Sequence, residues 1–273
     1  MSTGAVRAGR RRLVRALPAN RRVRSLGGAK GRGWLQARKL VAPLLQLPVT
    51  LTSAEGLHLR VTGDPVDEEI AHYLLGPRRV EYFPAWPGGA PTGACILDVG
   101  AHHGLYAAAA LHEYTGSRIV CVEPSRRAIP AIEANLAAND STARARIVNA
   151  GLAAASGQGV LRHTDEGTWG ASLYEDPAAT THSETVALLT LSELLDGEEP
   201  DIIKCNAEGA EFALIEHLAG SDLRPALMLV MVHPEFGDLE LLMAAAEAMG
   251  YRISRVGTPN RPALQMWHET VLR

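Results

Sequence analysis

Ile96-Leu-Asp-Val-Gly-Ala-His-His-Gly-Leu-Tyr106 passes from an apolar, strand-like run into a glycine turn and then into a helical pattern. Further along, Asp201-Ile-Ile-Lys-Cys-Asn-Ala-Glu-Gly-Ala-Glu211 repeats that grammar, with Lys204, Asn206, Glu208 and Glu211 packed at the end of the apolar run. In an open α/β sheet, ligands bind outside the carboxyl ends of the strands, where the next helix begins. The two segments therefore predict one cleft, with a cofactor on one side and chemistry on the other.

Around them, strands and helices alternate. Strand patterns fall near 95–99, 118–123, 145–150, 200–205, 226–232, 250–255 and 264–271, and helical patterns near 104–114, 129–139, 211–219 and 238–249. This βαβ series predicts a doubly wound, mainly parallel sheet. Ala226-Leu-Met-Leu-Val-Met-Val232 is apolar throughout, as a strand covered on both faces should be. Only Gly257-Thr-Pro-Asn-Arg-Pro262 links the last two strands, too little for a helical crossover, so they are expected to form an antiparallel hairpin. Residues 156–190 read as Gly/Thr/Ser-rich loops and short strands inserted over the cleft.

Upstream of the main domain, at 94–273, residues 48–93 read as a subdomain. It holds a hairpin over 48–62 turning at Glu55-Gly56, a helical then aromatic stretch over 66–83, and a linker broken by Pro84, Pro87, Gly88, Gly89, Pro91 and Gly93. Residues 1–47 form a basic arm containing Arg10-Arg-Arg12 and Arg21-Arg22. The net charge of −3 hides a division: residues 1–54 hold twelve Arg or Lys and no acid, leaving fifteen basic residues against all thirty acidic ones in the rest. The arm reads as a partly disordered or short-helical segment lying on the acidic body. Attraction to a phosphate-bearing partner is its functional alternative, and its Arg-rich, acid-free start also resembles a transit peptide. Charges interrupt every apolar run, so no signal peptide is read, and no run reaches the ~18–20 residues of a membrane span. Cys95, Cys121 and Cys205 have no metal-ligand spacing and read as reduced core residues of a cytoplasmic protein.

The turn Gly100-Ala-His-His-Gly104 is not G-x-G-x-x-G. His102 stands where a dinucleotide fingerprint requires the glycine that admits a pyrophosphate, which argues against NAD and FAD. Asp98 at the strand end suits a cationic cofactor, facing an ammonium or sulfonium directly or through water, and the two glycines would let it approach the backbone. Glu123, closing the second strand, is placed to accept hydrogen bonds from both ribose hydroxyls. Gly151 and Leu152, after the third strand, fall where an adenine would lie.

In these residues the chain resembles S-adenosylmethionine-dependent methyltransferases of the Rossmann-like class, and more narrowly the FkbM family. The matching pieces are Leu97 to Tyr106, Val122-Glu-Pro124, Asn135 and Asn139, Thr190-Leu-Ser-Glu-Leu-Leu195, and Ile203 to Glu211. The match spans residues 80–235 and omits the arm. It implies a Rossmann-like α/β fold; the C-terminal antiparallel hairpin and the basic N-terminal extension are read from the residues alone. It also implies S-adenosyl-L-methionine as cofactor, held by Asp98, Gly100, Ala101, His102, Gly104, Tyr106, Glu123, Pro124, Gly151, Leu152 and Asn206. The chain departs from the family in having Asn206 where Asp is usual, and histidines at 102 and 103 where a small or amide residue is common.

Methyl transfer to a hydroxyl needs in-line alignment and a proton acceptor. His233, emerging at the end of the fifth strand before Pro234, is the expected base, with Glu208 as second candidate and Asn206 as a positioning group. Glu235 follows as a weaker candidate. Glu211 reads equally as a functional carboxylate of the site and as a helix-start carboxylate facing solvent or bonding back to the backbone, and Lys204 reads as a charge holding these carboxylates in place. One of His102 and His103 is expected over the methionine part of the cofactor and the other at the surface. Tyr106, Trp169 and Ser172 are expected to line the cleft. The chain has no G-x-S-x-G elbow, no Walker loop and no zinc spacing, and no resident metal is expected. The acceptor is expected to be a sugar, polyketide or peptide-derived hydroxyl, possible homodimerisation being left open. N- or carboxyl-methylation, a nucleic-acid-binding role for the arm, and a non-catalytic cofactor-binding subunit are the alternatives. The acidic body and the arm's single aromatic, Trp34, weigh against nucleic acid.

Overall fold

A computed structural model describes residues 23–24, 48–62, 64–163, 173, 182–257 and 262–272. Almost all of the basic arm, Trp169, Ser172 and most of the 257–262 link lie outside the described residues. In chain order the strands are β1 (Val23–Arg24), β2 (Val49–Thr52), β3 (His58–Val61), β4 (Cys95–Val99), β5 (Arg118–Val122), β6 (Ala145–Val148), β7 (Gly151–Leu152), β8 (Gly157–His163), β9 (His182–Leu189), β10 (Ile202–Cys205), β11 (Leu227–Met231), β12 (Tyr251–Arg255) and β13 (Ala263–His268). The α-helices are α1 (Pro65–Leu75), α2 (Leu105–Glu113), α3 (Ile129–Ala137), α4 (Leu191–Leu195), α5 (Ala210–Ala219) and α6 (Leu239–Ala248).

The main sheet has seven strands in the order β12-β13-β11-β10-β4-β5-β6. All neighbours pair in parallel except β13, which runs antiparallel to both β11 and β12. The predicted final hairpin is thus present, with its second strand inserted beside β11. Every residue of β4 and β10 is buried, because helices cover both faces. One apolar cluster packs α2 and the N-terminal segment on one face. The other packs α4, α5 and α6 on the opposite face. This is a Rossmann-like sheet, and its strand order reverses between β4 and β10. The parallel register sets Asp98 directly beside Lys204 across that reversal.

Residues 48–83 share the main core: Leu51, Leu59, Val61, Ala71, Leu74, Tyr82 and Phe83 pack with Ala107–Leu111 of α2. Asn135 and Asn139 explain how the β2–β3 hairpin is held. Asn139 exchanges bonds with the backbone of His58 (N–H to Oδ1 2.8 Å, Nδ2 to carbonyl 2.6 Å), and Asn135 does the same with Arg60 (2.7 and 3.1 Å). Four residues along a helix rise about 6 Å, close to the ~6.6 Å of two residues along a strand. Two amides at i and i+4 therefore stand in for a neighbouring strand on the open edge of β3.

Two elements differ from expectation. The region 156–190 contains a long antiparallel pair, β8 with β9, which joins β7 in a separate three-stranded sheet rather than short strands in loops. Thr190-Leu-Ser-Glu193 opens α4 through a capping box, Thr190 Oγ1 accepting from the Glu193 N–H while Glu193 accepts from the Thr190 N–H.

Candidate active site

The carboxyl ends of β4, β5, β10 and β11 open into a cavity of about 340 Å³, within the range of small-molecule sites. Its first wall is the turn after β4. The Gly100 and Ala101 N–H groups donate to the Val122 carbonyl, both at 3.0 Å, which folds the turn over β5. At Gly100 (φ +73°) an added Cβ would lie 2.0 Å from the Asn206 carbonyl oxygen, and at Gly104 (φ +74°) 2.9 Å from the Ile132 Cα. Both glycines allow close approach between chain segments; Gly100 also lines the cavity, and Gly104 does not.

Glu123 lines the cavity and is 7 % exposed. Its Oε2 accepts from the His102 N–H at 2.8 Å and its Oε1 from the Ser125 N–H at 2.9 Å. Burial pushes its pKa up against the pull of those two donors. Gly151, Leu152 and Pro124 meet Leu161 of β8 and Leu173, forming an apolar slot beside Glu123. The inserted sheet thus contributes cleft wall, which the sequence reading placed there without naming Leu161.

Asp98 does not reach the cavity. It is fully buried, and Lys204 Nζ lies 2.8 Å from its Oδ1 and 2.7 Å from the Gly100 carbonyl. Burial raises the Asp98 pKa, with the Lys204 charge and hydrogen bond opposing. Lys204 therefore pairs with Asp98 and not, as its spacing suggested, with Glu208 or Glu211. The expected direct contact of Asp98 with a ligand cation is replaced by this pair, because the strand register buries the carboxylate beside the ammonium. Tyr106 lines the cavity, stacks on Phe83 at 5.7 Å, and has a buried hydroxyl without a hydrogen-bond partner among the described residues.

Asn206, Glu208 and His233 all line the cavity. His233 lies between two carboxylates, Nδ1 2.8 Å from Glu211 Oε1 and Nε2 3.3 Å from Glu208 Oε2. Burial lowers its pKa, but the hydrogen bonds and charges of Glu208 and Glu211 outweigh that and raise it to about 10. A base near neutrality was expected here; the geometry instead holds an imidazolium, already protonated at pH 7. Glu211 is fully buried and accepts from the Ala207 and Gly209 N–H groups at 3.0 and 2.8 Å. It thus bonds back to the backbone and also holds His233 at the cavity. Glu208 adopts the left-handed φ of +47°, uncommon for a non-glycine residue, and its side chain is 25 % exposed. Glu235 is exposed and does not line the cavity.

The raised His233 pKa fixes the sign of a stability effect. A histidine raised above its unfolded value of about 6.5 contributes stability fully present below that pH and lost as pH rises through its folded value. The stability gap between wild type and His233→Asn should therefore be largest at pH 6 and shrink towards pH 10. Urea denaturation at pH 6, 8 and 10 measures it, and a gap that does not change with pH contradicts the imidazolium assignment.

Sequence reasoning missed the opposite wall. Glu69, Ile70 and Tyr73 of α1, with Arg78, Glu81 and Tyr82 of the following 3-10 turn, line the cavity. Arg78 forms a two-bond pair with Glu81 at 2.5 and 2.7 Å and lies 4.2 Å from the Tyr73 ring centroid. His103, expected for one of the pair at the surface, is buried and bonded through Nδ1 to Asp67 Oδ1 at 2.7 Å. Burial opposes its protonation, but Asp67 raises its pKa overall. The neighbouring His102 ring stacks on it at 3.8 Å, and burial and the His103 charge lower its pKa to about 3. The three cysteines are free and buried, and burial pushes their pKa values up, Cys95 to about 11. They are thiols of the core, as expected.

The sheet order and the cleft at its reversal define a Rossmann-like protein with a nucleoside-sized site. The methyltransferase FkbM domain model matches residues 98–253, more than half of the chain. The protein belongs to that family and is an S-adenosylmethionine-dependent methyltransferase. Among solved structures, it is similar to a precorrin-6y C5,15-methyltransferase from Geobacter metallireducens GS-15, with 13% identity, 70% of this chain and 87% of that one covered, and a TM-score of 0.45. It is also similar to M. capricolum TrmK in complex with S-adenosyl-homocysteine (9%, 71% and 67%, 0.43). A third is Aeropyrum pernix fibrillarin with natively bound S-adenosyl-L-methionine (13%, 65% and 67%, 0.41). No curated protein matches the sequence. No helix among the described residues is long and apolar enough to cross a membrane.

Proposed function

We propose that the protein methylates a hydroxyl of a small or natural-product-like acceptor, with Glu208 as the proton acceptor. The observation that carries this reading is the Glu208 carboxylate, partly exposed in the cavity and backed by the His233 imidazolium at 3.3 Å. A general base must be ionised and within reach of the acceptor proton. Glu211, bonded to the other ring nitrogen, fixes the imidazole. With the cofactor bound, the methyl–sulfur bond would break as the oxygen–methyl bond forms, leaving a neutral thioether, and Glu208 would take the acceptor's hydroxyl proton. Asn206, neutral at the end of β10, positions the acceptor rather than taking the proton.

The residues present fit the cofactor. Glu123 retains acceptor capacity on both oxygens for a ribose diol. The Leu152–Leu161–Leu173 slot beside it suits an adenine. The buried Tyr106 hydroxyl, without a hydrogen-bond partner among the described residues, is a donor available at the cavity wall. When bound, the cofactor supplies an electrophilic methyl group on a sulfonium. Gly100, Ala101 and His102 line the cavity at that turn.

Calorimetry with S-adenosylhomocysteine tests the cofactor half, and Glu123→Ala should weaken binding by about 1–3 kcal/mol through loss of a charged acceptor. Unchanged affinity removes Glu123 from the ribose. For the acceptor, labelled cofactor is incubated with an extract of the source organism and the product is identified. An ether methyl supports the reading, and a methyl on nitrogen or on a carboxylate overturns it.

A further inference from the structure

We propose that Asp67, His102 and His103 form a binding site for one divalent transition-metal ion of the zinc class, with its remaining coordination positions facing the cavity. Asp67 lies in α1 and the histidines in the turn after β4, 36 residues from Asp67 to His103, so no sequence spacing announces the site.

The geometry is convergent. One ligand atom from each residue lies within 4.8 Å of the others. Both histidines direct Nδ1 to the same carboxylate oxygen, Asp67 Oδ1, His103 at 2.7 Å and His102 at 3.7 Å. Bonds of about 2.0–2.2 Å to histidine nitrogen and carboxylate oxygen, at tetrahedral to octahedral angles, place ligand atoms roughly 3.0–3.5 Å apart. The two separations to Asp67 bracket that range. The two rings stack with planes 24° apart, so closing on one ion requires the His102 ring to turn out of that stack.

Bonds to Asp67 and to the backbone of both histidines hold the three residues in place. Asp67 is fully buried, and its second oxygen accepts from the Thr62 N–H at 2.8 Å, which aims Oδ1 at the rings. The His103 carbonyl accepts from Asn135 Nδ2 at 2.8 Å, and the His102 N–H donates to Glu123 at 2.8 Å. His102 is held at φ +49°, a left-handed conformation that places its ring beside His103. Two imidazoles and one carboxylate match zinc, cobalt or ferrous ion rather than magnesium or calcium, which prefer all-oxygen sets. Both histidines line the cavity, so a solvent or ligand oxygen has access to the ion. Three protein ligands with an open position is the pattern of a metal that binds something further.

The test uses the full chain, stripped with a chelator and titrated with zinc by calorimetry and with cobalt by visible absorption. The expected result is one equivalent of zinc and a cobalt spectrum of mixed nitrogen and oxygen ligation. His102→Asn removes one ligand while asparagine tolerates the left-handed backbone, so the variant should fold. Its zinc affinity should fall by about a hundredfold, and zinc should raise the melting temperature of wild type but not of the variant. S-adenosylhomocysteine binding, measured on both proteins, reports separately on the cofactor cleft. No stoichiometric zinc binding by the wild type, or equal affinity in His102→Asn, overturns the proposal.

Discussion

Glu208→Gln should lower turnover by about 10²- to 10⁴-fold, the usual contribution of a positioned base, while affinity for S-adenosylhomocysteine is retained. Glutamine keeps the shape of the side chain and loses the ability to take a proton. The backbone provides a control against misfolding. Glu208 sits at φ +47°, a conformation that costs roughly 1 kcal/mol or more for a residue with a Cβ. Glu208→Gly removes that strain together with the carboxylate. Loss of turnover in both variants, with the glycine variant melting no lower than the glutamine one, would separate chemistry from folding. Turnover at the wild-type level in Glu208→Gln would remove this residue as the base. Strain of this kind persists where the surroundings over-determine it, and such places cluster at functional sites. Here Gly209 follows at φ +108° and His233 holds the carboxylate from behind.

Lys204→Met should destabilise the fold by about 3–5 kcal/mol, because it leaves the Asp98 carboxylate fully buried without its counter-charge. At roughly 2–4 °C per kcal/mol for a domain of this size, the fall in melting temperature is readily measured. Adding Asp98→Asn to Lys204→Met should recover much of the loss, since no buried charge then remains. The sign with pH is also set. Burial already raises the Asp98 pKa, and removing Lys204 raises it further. A carboxyl raised in the folded state binds its proton more readily there, so the deficit of Lys204→Met relative to the double variant should shrink as pH falls. A deficit that is the same at pH 5 and pH 8 would show that Lys204 acts through packing alone. Because Lys204 also donates to the Gly100 carbonyl, the variant should bind cofactor more weakly than its stability alone accounts for.

Local pattern carried the sheet. Leu227–Met231 is apolar on both faces and Ile96–Val99 is so apart from Asp98, and helical periods between them leave a parallel, doubly wound arrangement as the economical solution. The β8–β9 pair was harder to read, because an alternating polar strand such as His182–Leu189 resembles a loop when its partner is not known. At the site, Glu123, Glu208 and His233 were legible because each closes or follows a strand whose end must face the cleft. The wall made by α1 was not, since Glu69, Tyr73 and Arg78 carry no motif and reach the cavity only through packing of residues 48–83 on α2.

Roles divided along the same line. The alternating strand and helix patterns determined the fold class and, with the Ile96–Tyr106 and Asp201–Glu211 stretches, the place of the cleft, because strand periodicity, glycine turns and residue type are local properties; the kind of cofactor came from these motifs, Glu123 and the family resemblance together. Which charges meet was decided only by tertiary structure. Register set Lys204 against Asp98, the end of β11 delivered His233 between Glu208 and Glu211, and α1 brought Asp67 to the paired histidines. Ion pairing and proton affinity depend on distances of a few ångströms and on exclusion of water, and neither exists until the chain has folded.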